Sequence, residues 1–484
     1  MPATEKSRGG FELFYTATSS AWLGSVAMGT CLGYSSPAIP SLREANGTSS
    51  IMLSESEESW FGSIMTLGAL ICSPLAGMLV DWTGRRWAML ITSAGFLVAW
   101  LLIGFAGNLA LLYLGRFLTG CFTGVISLAV PVYVSEISRP EVRGILGAGI
   151  QLSVTLGILM VYISGKYFEW NALAFICIGP PGAMALLMTF MAESPRWLLR
   201  KGRRQEALKA LQFLYSKDTD YEAECHLIEE NIRMSPKERF HIRELGQPYI
   251  FKPILLSLFL MFSQQYSGIN AIMFYAVSIF EATGVNIDPK NCMIIIGVVQ
   301  VGATLAATLV MDCVGRRLLL QCSLGLIGAS LLVLGAFHWE KYTKGDEAVA
   351  GVTWLPLLCV SIFIVGFSCG MGPVPWLMMG ELLPLRVRGF ATGIATFFNW
   401  SMAFLVTKGF NDMRRILHVH GTYWFFFAIM TVSFVVVTLF LPETKGKTLE
   451  EIELAFRGDT VALQAAVEPP LDSLHEEPVN QPVA

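Results

Sequence analysis

Gln264, Gln265, Asn270 and Tyr275 fall within twelve residues, QQYSGINAIMFY, that are otherwise mostly apolar. An amide donates and accepts hydrogen bonds yet carries no charge, so such a set can hold a neutral hydrogen-bonding ligand. It can also do no more than tie one helix to another. Left unpaired in hydrocarbon, these groups would be costly. On a regular helix, at about 100° per residue, Gln264 and Tyr275 share a face while Asn270 lies about 120° away. Gly268 permits an unwound turn that would let all of them converge.

A second chemistry is ionic. Asp81-Trp82-Thr83-Gly84-Arg85-Arg86 returns as Asp312-Cys313-Val314-Gly315-Arg316-Arg317. Glu136, followed by Arg143-Gly144, returns as Glu381 followed by Arg388-Gly389, and Glu193-Ser194-Pro195-Arg196 has a looser echo in Glu443-Thr444-Lys445. Three motifs repeated in order mark a chain written twice. Each places a carboxylate beside arginines at a helix end. One such pair at a wet surface contributes about 0–1 kcal/mol, and the bland reading of each residue is a solvated helix cap. A ring of pairs linking the halves would bias a structure with two alternative states. Arg116 stands apart, a turn or two inside an apolar stretch, where a charge marks function by default.

The elements that must position these groups are membrane helices. Of the 484 residues 54% are hydrophobic and only 15% charged, where a soluble domain carries about a quarter. Apolar windows of about 20 residues, enough to cross a bilayer, fall at 17–38, 58–80, 87–107, 111–134, 145–165 and 171–191. Six more follow at 251–280, 291–313, 318–338, 353–379, 389–410 and 421–441. The fold expected is all-α integral membrane, twelve transmembrane helices in two six-helix bundles, 17–191 and 251–441. A 1–16 N-terminus precedes them, an amphipathic helical linker (192–250) joins them, and a 442–484 tail follows, disordered from about 459 by its polar, proline-containing composition. Basic residues crowd every second loop, which places those loops and both termini in the cytoplasm. Lys408, Arg414 and Arg415 run against that rule.

Two parallel halves with a site between them is a transporter architecture. Acidic residues interleave with the basic ones of 192–250, which excludes a nucleic-acid patch. No phosphate-binding loop is present. Histidines and cysteines form no metal-ligand pattern, and the ten cysteines are expected as free thiols. Asn46-Gly47-Thr48 is a glycosylation acceptor in a loop expected outside. The first span lacks a small-residue cleavage site and reads as a membrane helix.

The twin Gly-Arg-Arg motifs, AESPRWL (192–198), QLS (151–153), QQYSGIN (264–270), GPVPW (372–376) and PETKG (442–446) together resemble the sugar porter family of the major facilitator superfamily. More narrowly, the chain is similar to the class III facilitative glucose transporters and the arthropod facilitated trehalose transporters, over about residues 15–455. The resemblance implies alternating access around a mid-membrane site. It implies that Gln151, Gln264, Gln265, Asn270, Gln300 and Trp376 bind the substrate, with Tyr275, Phe274, Asn399 and Trp400 lining or gating the site. The inner-gate charges it implies are Arg85, Arg86, Glu136, Arg143, Glu193, Arg196, Arg316, Arg317, Glu381, Arg388 and Glu443. Gly372, Pro373 and Pro375 should break the tenth span and free Trp376.

Departures from the glucose pattern are Gln300 for an asparagine, Ala403 at a sugar-contacting position, Phe274 for a tyrosine and Ser368 for a gating glutamate. Proton-coupled relatives carry an aspartate where this chain has Ser35, which cannot titrate near pH 7, so Arg116 lacks the partner it has in symporters. The function expected is facilitated transport of a hexose or trehalose without ion coupling, the alternative being a proton-coupled sugar or polyol symporter. No enzymatic activity and no cofactor are expected. The partners are a small neutral sugar and the lipid bilayer, not nucleic acid, and the chain is expected to work as a monomer. The cell membrane is the location expected, because no acidic dileucine signal is evident at the N-terminus.

Overall fold

The structure is a computed structural model. It describes residues 13–43, 51–139, 142–215, 219–234, 246–283, 287–311, 314–384, 387–447, 451–452, 454 and 456. Asn46, Asp312, Cys313, residues 1–12 and the tail expected to be disordered lie outside these residues. Among the described residues every regular element is helical.

The first half opens with α1 (Leu13–Gly33) and α2 (Ser35–Arg43), which share one span interrupted at Tyr34. This span runs five residues past the expected end at 38, with Pro37 in the first turn of α2, where a missing N–H is tolerated, and Pro40 inside the helix. Then come α3 (Glu55–Thr83), α4 (Arg85–Gly104), α5 (Leu109–Ile137), α6 (Arg143–Tyr167) and a sixth span divided into α7 (Trp170–Ile176) and α8 (Gly179–Met188). That division was not expected from hydropathy; Pro180 and Pro181 begin a new helix there. The linker forms α9 (Pro195–Arg200), α10 (Arg204–Leu214) and α11 (Tyr221–Met234).

The second half starts with three pieces, α12 (Pro248–Gln265), α13 (Ile269–Phe274) and α14 (Ala276–Thr283), followed by α15 (Pro289–Val310) and α16 (Arg316–Lys344). The tenth span is α17 (Leu355–Gly366), a π-turn (Phe367–Met371) and α18 (Val374–Leu382); α19 (Arg388–Ile416) and α20 (His418–Phe440) complete the half. Among the described residues ten stretches are long and apolar enough to cross a membrane; the first and seventh spans, both interrupted, bring the architecture to the expected twelve helices.

Local chemistry sets the helix starts. The Ser54 hydroxyl accepts the Glu57 N–H while the Glu57 carboxylate accepts the Ser54 N–H, a reciprocal cap that begins α3. Asn108 caps α5 through the Leu111 N–H, and Asp288 followed by Pro289 starts α15. The two breaks expected from sequence are present. Gly268 adopts φ 86°, a left-handed conformation that suits glycine, and ends α12 before α13. Pro373, just before α18, and Pro375, in its first turn, remove two N–H donors where the chain leaves the π-turn.

Within the first half α3 and α4 pack along α5, and in the second α16 packs along α20; between the halves α3 lies along α19 and α6 along α15. Large apolar side chains such as Leu75, Leu186, Leu309 and Phe440 are exposed on the perimeter, as a lipid-facing surface requires.

Candidate functional site

The two ends of the bundle differ. The end carrying Arg85, Arg316 and the α9–α11 layer is the basic end. At the opposite, far end the halves are joined. Lys408 on α19 donates to the Ser59 hydroxyl (3.2 Å), which itself donates to the Lys408 carbonyl (2.9 Å). The same ammonium sits 4.6 Å from the centre of the Trp60 ring, so the lysine that violates the charge rule is held across the interface between halves. Thr66 meets Thr407 at 3.3 Å, and the Tyr162 hydroxyl donates to the Met273 carbonyl at 3.1 Å. Arg43 forks onto Glu58 and reaches Glu281 of the second half at 3.9 Å. Tyr275 and Phe274 are fully buried, and Tyr275 stacks on Phe410 with its hydroxyl beside Gly62.

Towards the basic end α3 and α19 part. Ala69 of α3 packs against Trp400 and Ala403 of α19. One turn further on, a cavity of about 640 Å³ opens, lined by Ser73, Gly77 and Asp81 of α3 and by Gly389, Gly393 and Thr396 of α19. The molecule is therefore closed at the far end and open at the basic end.

The amide cluster lies buried at the interruption of the seventh span. Asn270 Nδ2 donates to Gln265 Oε1 (2.6 Å), Gln265 Nε2 to Asn399 Oδ1 (3.1 Å), and Asn399 Nδ2 to Gln264 Oε1 (2.9 Å). Gln264 Nε2 closes the chain on the carbonyls of Met371 (2.9 Å) and Gly372 (2.8 Å) at the break in the tenth span. Four of the expected site residues are thus one continuous network across α12, α13 and α19. Gln300 on α15 is buried with its Oε1 unpartnered, and so is the Trp400 Nε1 on α19. Gln151 on α6 is half-buried and Trp376 on α18 is 38% exposed; no hydrogen bond among the described residues joins either of them to the network.

Arg116 is fully buried on α5 between the rings of Tyr34 (5.4 Å) and Phe61 (5.2 Å). It donates to Ser35 Oγ (2.7 Å) and to the Cys31 carbonyl (3.2 Å), so its neighbours are neutral dipoles and π faces in place of a carboxylate. Among the described residues no Asp or Glu lies in a span except near its ends.

The charged motifs form two closed clusters, not the ring expected to link the halves. In the first half Arg85 forks onto Glu136 with both bonds 2.9 Å, and Ser194 Oγ donates to Glu136. Glu193 pairs with backbone instead: it accepts the N–H groups of Arg85, Arg86 and Ser194 at the start of α4. The second half repeats this. Arg316 donates to Glu381 at 3.3 Å, Thr444 Oγ1 donates to Glu381 at 2.6 Å, and Glu443 accepts the N–H groups of Arg316, Arg317, Thr444 and Lys445. Arg86 donates to the Met188 and Thr189 carbonyls, Arg317 to that of Thr438, Arg143 to that of Ser138 and Arg388 to that of Leu383. Arg196 is half-buried on α9. The physical reason is the open basic end, which separates the halves where the motifs lie.

Burial pushes the Glu193 carboxyl above the ordinary carboxylate range despite its N–H partners. At Glu443 burial acts the same way, but the N–H groups of Lys445, Arg316, Arg317 and Thr444 outweigh it and hold the carboxyl below that range. Ser194 and Thr444 escaped the sequence reading, although each follows the repeated glutamate directly. The Met371 and Gly372 carbonyls carry no side-chain signal.

Two six-helix halves joined at one end and parted at the other, with a buried neutral network in the second half, have the major facilitator architecture. A family model described as "Sugar (and other) transporter" matches residues 14–456, and the chain belongs to that family. Among curated relatives, the facilitated trehalose transporter Tret1 of Culex quinquefasciatus is 42% identical over 439 residues, covering 90% of this chain and 84% of that protein. Tret1 of Anopheles gambiae is 41% identical over 444 residues, 91% of this chain and 56% of that protein. The chain thus spans about half the length of several relatives it matches. The inward-open xylose transporter XylE from E. coli superposes with a TM-score of 0.76 at 22% identity, over 91% of this chain and 99% of that one. The proton:xylose symporter XylE bound to 6-bromo-6-deoxy-D-glucose gives 0.73 at 24%, over 92% and 99%. At these identities the likeness is one of fold.

Proposed function

We propose that this protein is a facilitative carrier of a small neutral sugar, trehalose or a hexose, working by alternating access without ion coupling. The observation that carries this reading is the buried amide network, because it is neutral throughout and both donates and accepts. A polyhydroxyl solute needs those properties and no charge. Gln265 and Asn270 keep hydrogen-bonding capacity beyond the bonds they make to each other and to Asn399. The unpartnered Gln300 Oε1 and Trp400 Nε1 are one acceptor and one donor for sugar hydroxyls. Gln151 would add a further amide, and the exposed Trp376 an aromatic plane for a sugar's C–H face.

Support for uncoupled transport comes from Arg116. Its partner Ser35 cannot exchange a proton near pH 7, and among the described residues no carboxylate pairs with Arg116. The positive-inside rule assigns the basic end and both termini to the cytoplasm, which makes this form the inward-open one. We propose in addition that the chain acts as a monomer in the cell membrane. The Arg85–Glu136 and Arg316–Glu381 clusters then stiffen each half as it rocks.

The reading is tested with purified protein in liposomes. Saturable uptake of radiolabelled trehalose or glucose is expected from the native chain. Gln265→Ala, reconstituted as folded protein, is expected to lose it. Normal saturable uptake by that variant would remove the network from the binding site.

A further inference from the structure

The seventh span is interrupted twice, and the two breaks differ in kind. At Gly268 the backbone takes a left-handed turn that suits glycine. At Tyr275, between α13 and α14, no such residue is present. Met273-Phe274-Tyr275-Ala276-Val277 contains neither glycine nor proline, so a continuous helix is open to it. Helical bonds stand on either side of the break, from the Tyr275 N–H to the Ala271 carbonyl (3.1 Å) and from the Ile279 N–H to the Tyr275 carbonyl (2.8 Å). A continuous helix would also join the Val277 N–H to the Met273 carbonyl, but no backbone bond joins them here. Both groups are taken by hydroxyls of the first half instead. Tyr162 on α6 donates to the Met273 carbonyl (3.1 Å). Ser36 on α2 accepts the Val277 N–H (3.4 Å) and donates to Met293 Sδ on α15 (3.3 Å). All five residues are buried.

A buried backbone group without a partner is costly. When the halves part at the far end, Tyr162 and Ser36 withdraw from both groups at once. The Met273 carbonyl and the Val277 N–H, four residues apart, can then bond each other and join α13 to α14.

We propose that Tyr162 and Ser36 are positioning residues: their hydroxyls stand in for one backbone bond of the seventh span while the far end is closed, and release it to re-form when that end opens. Opening then strands no buried backbone group, and the two hydroxyls set how much of the protein is open there. Gln264, Gln265 and Asn270, at the other break, keep their place in the binding site. This inference rests on reading the chain as an alternating-access carrier.

Two variants test it. Tyr162→Phe keeps the ring, which packs beside Gly297 of α15, and removes only the donor. Ser36→Ala removes both bonds of the serine. The purified full-length proteins are checked for monodispersity and compared with the native chain, without sugar, by hydrogen–deuterium exchange resolved to single amides.

Tyr162→Phe is expected to shift the ratio of far-end-open to far-end-closed molecules by about tenfold, and the far-end peptides 36–43 and 55–63 should exchange faster in proportion. Ser36→Ala should do the same by about threefold, its bond to the N–H being the longer one. Peptides 73–83 and 389–396, which line the cavity at the basic end, should exchange no faster in either variant. In Tyr162→Phe the Val277 amide, bonded in both forms, should stay within about twofold of its native rate.

Unchanged exchange at 36–43 and 55–63 overturns the proposal. So does equal acceleration at both ends, the mark of general loosening. A Val277 amide that speeds up with the far-end peptides shows that the backbone bond does not re-form, and refutes the exchange of partners. No sugar enters this experiment, so the carrier reading fails separately, if the native chain moves neither trehalose nor glucose in liposomes.

Discussion

Arg85 and Arg316 occupy equivalent places in the two halves, but their surroundings differ. Arg85 and Glu136 have side chains only 3% and 9% exposed and meet through two bonds, whereas Arg316 and Glu381 are 15% and 21% exposed and meet through one longer bond. Gly84 has φ 97°, while Gly315 has φ −64°. Glu193 is pushed above the ordinary carboxylate range and Glu443 held below it. One motif has thus been built into a buried joint that requires a glycine in the first half and a more open one in the second. The contrast lies in this joint and not in continuity of the helices, because each half has two interrupted spans, the first and sixth in one and the seventh and tenth in the other; the amide network belongs to the second alone.

The largest effect that could break this contrast is removal of the arginines. Arg85→Ala leaves a nearly buried Glu136 without its cation and should cost about 3 kcal/mol or more, against about 1 kcal/mol for Arg316→Ala. Thermal unfolding of the two purified variants measures the difference; equal losses would mean the exposure gap is without consequence.

The next effect is at the glycines. A β-carbon at Gly84 or Gly315 would come within 2.4 Å or 2.3 Å of the facing glutamate oxygen, so both substitutions displace a carboxylate. Gly84→Ala adds the cost of a left-handed backbone, about 1–2 kcal/mol beyond Gly315→Ala in the same unfolding assay. Equal costs would show that the crowded carboxylate alone decides.

The pH dependence should have opposite sign in the two halves. Far below the usual carboxylate value of 4.5 both glutamates are protonated. For Glu193, whose folded value is raised, the unfolded chain deprotonates first. The native protein should therefore lose stability relative to Glu193→Gln as pH rises just above that value. For Glu443, whose folded value is lowered, the native protein should gain on Glu443→Gln as pH rises towards that value, and lose the gain as pH falls through the folded one. Thermal melts between acidic and neutral pH read both differences, and a shared sign would contradict the contrast.

The smallest effect is at the far end, shared by both halves. Lys408→Met removes the cation from Trp60 and the bond to Ser59, and should shift the population towards opening at that end by about threefold, the equivalent of about 0.7 kcal/mol. Hydrogen–deuterium exchange of peptides covering the start of α3, 55–63, would follow it, faster exchange in the variant supporting the seam and an unchanged rate contradicting it.

Most of this architecture is legible in the sequence because hydrocarbon imposes a simple demand, a run of apolar residues long enough to cross it. Gly268 and the Gly372–Pro375 segment reveal their breaks because backbone chemistry is local. The sixth-span division before Pro180 was equally local but hidden by continuous hydropathy. The motif glutamates were legible as partners of arginines, yet Glu193 and Glu443 bind backbone N–H groups, which leave no trace in residue type. Whether the charged clusters face one another depends on which end of the molecule is open, and one sequence serves both states. The partners of Gln264 follow from the π-turn, which no side chain announces.

The most direct test loads liposomes containing the purified protein with trehalose or glucose and measures counterflow with and without an imposed pH gradient. Saturable exchange of one of these sugars, unchanged by the gradient, is the result expected of a carrier whose buried Arg116 pairs with Ser35. Accumulation that requires the gradient would contradict it and place a proton-binding group elsewhere in the molecule.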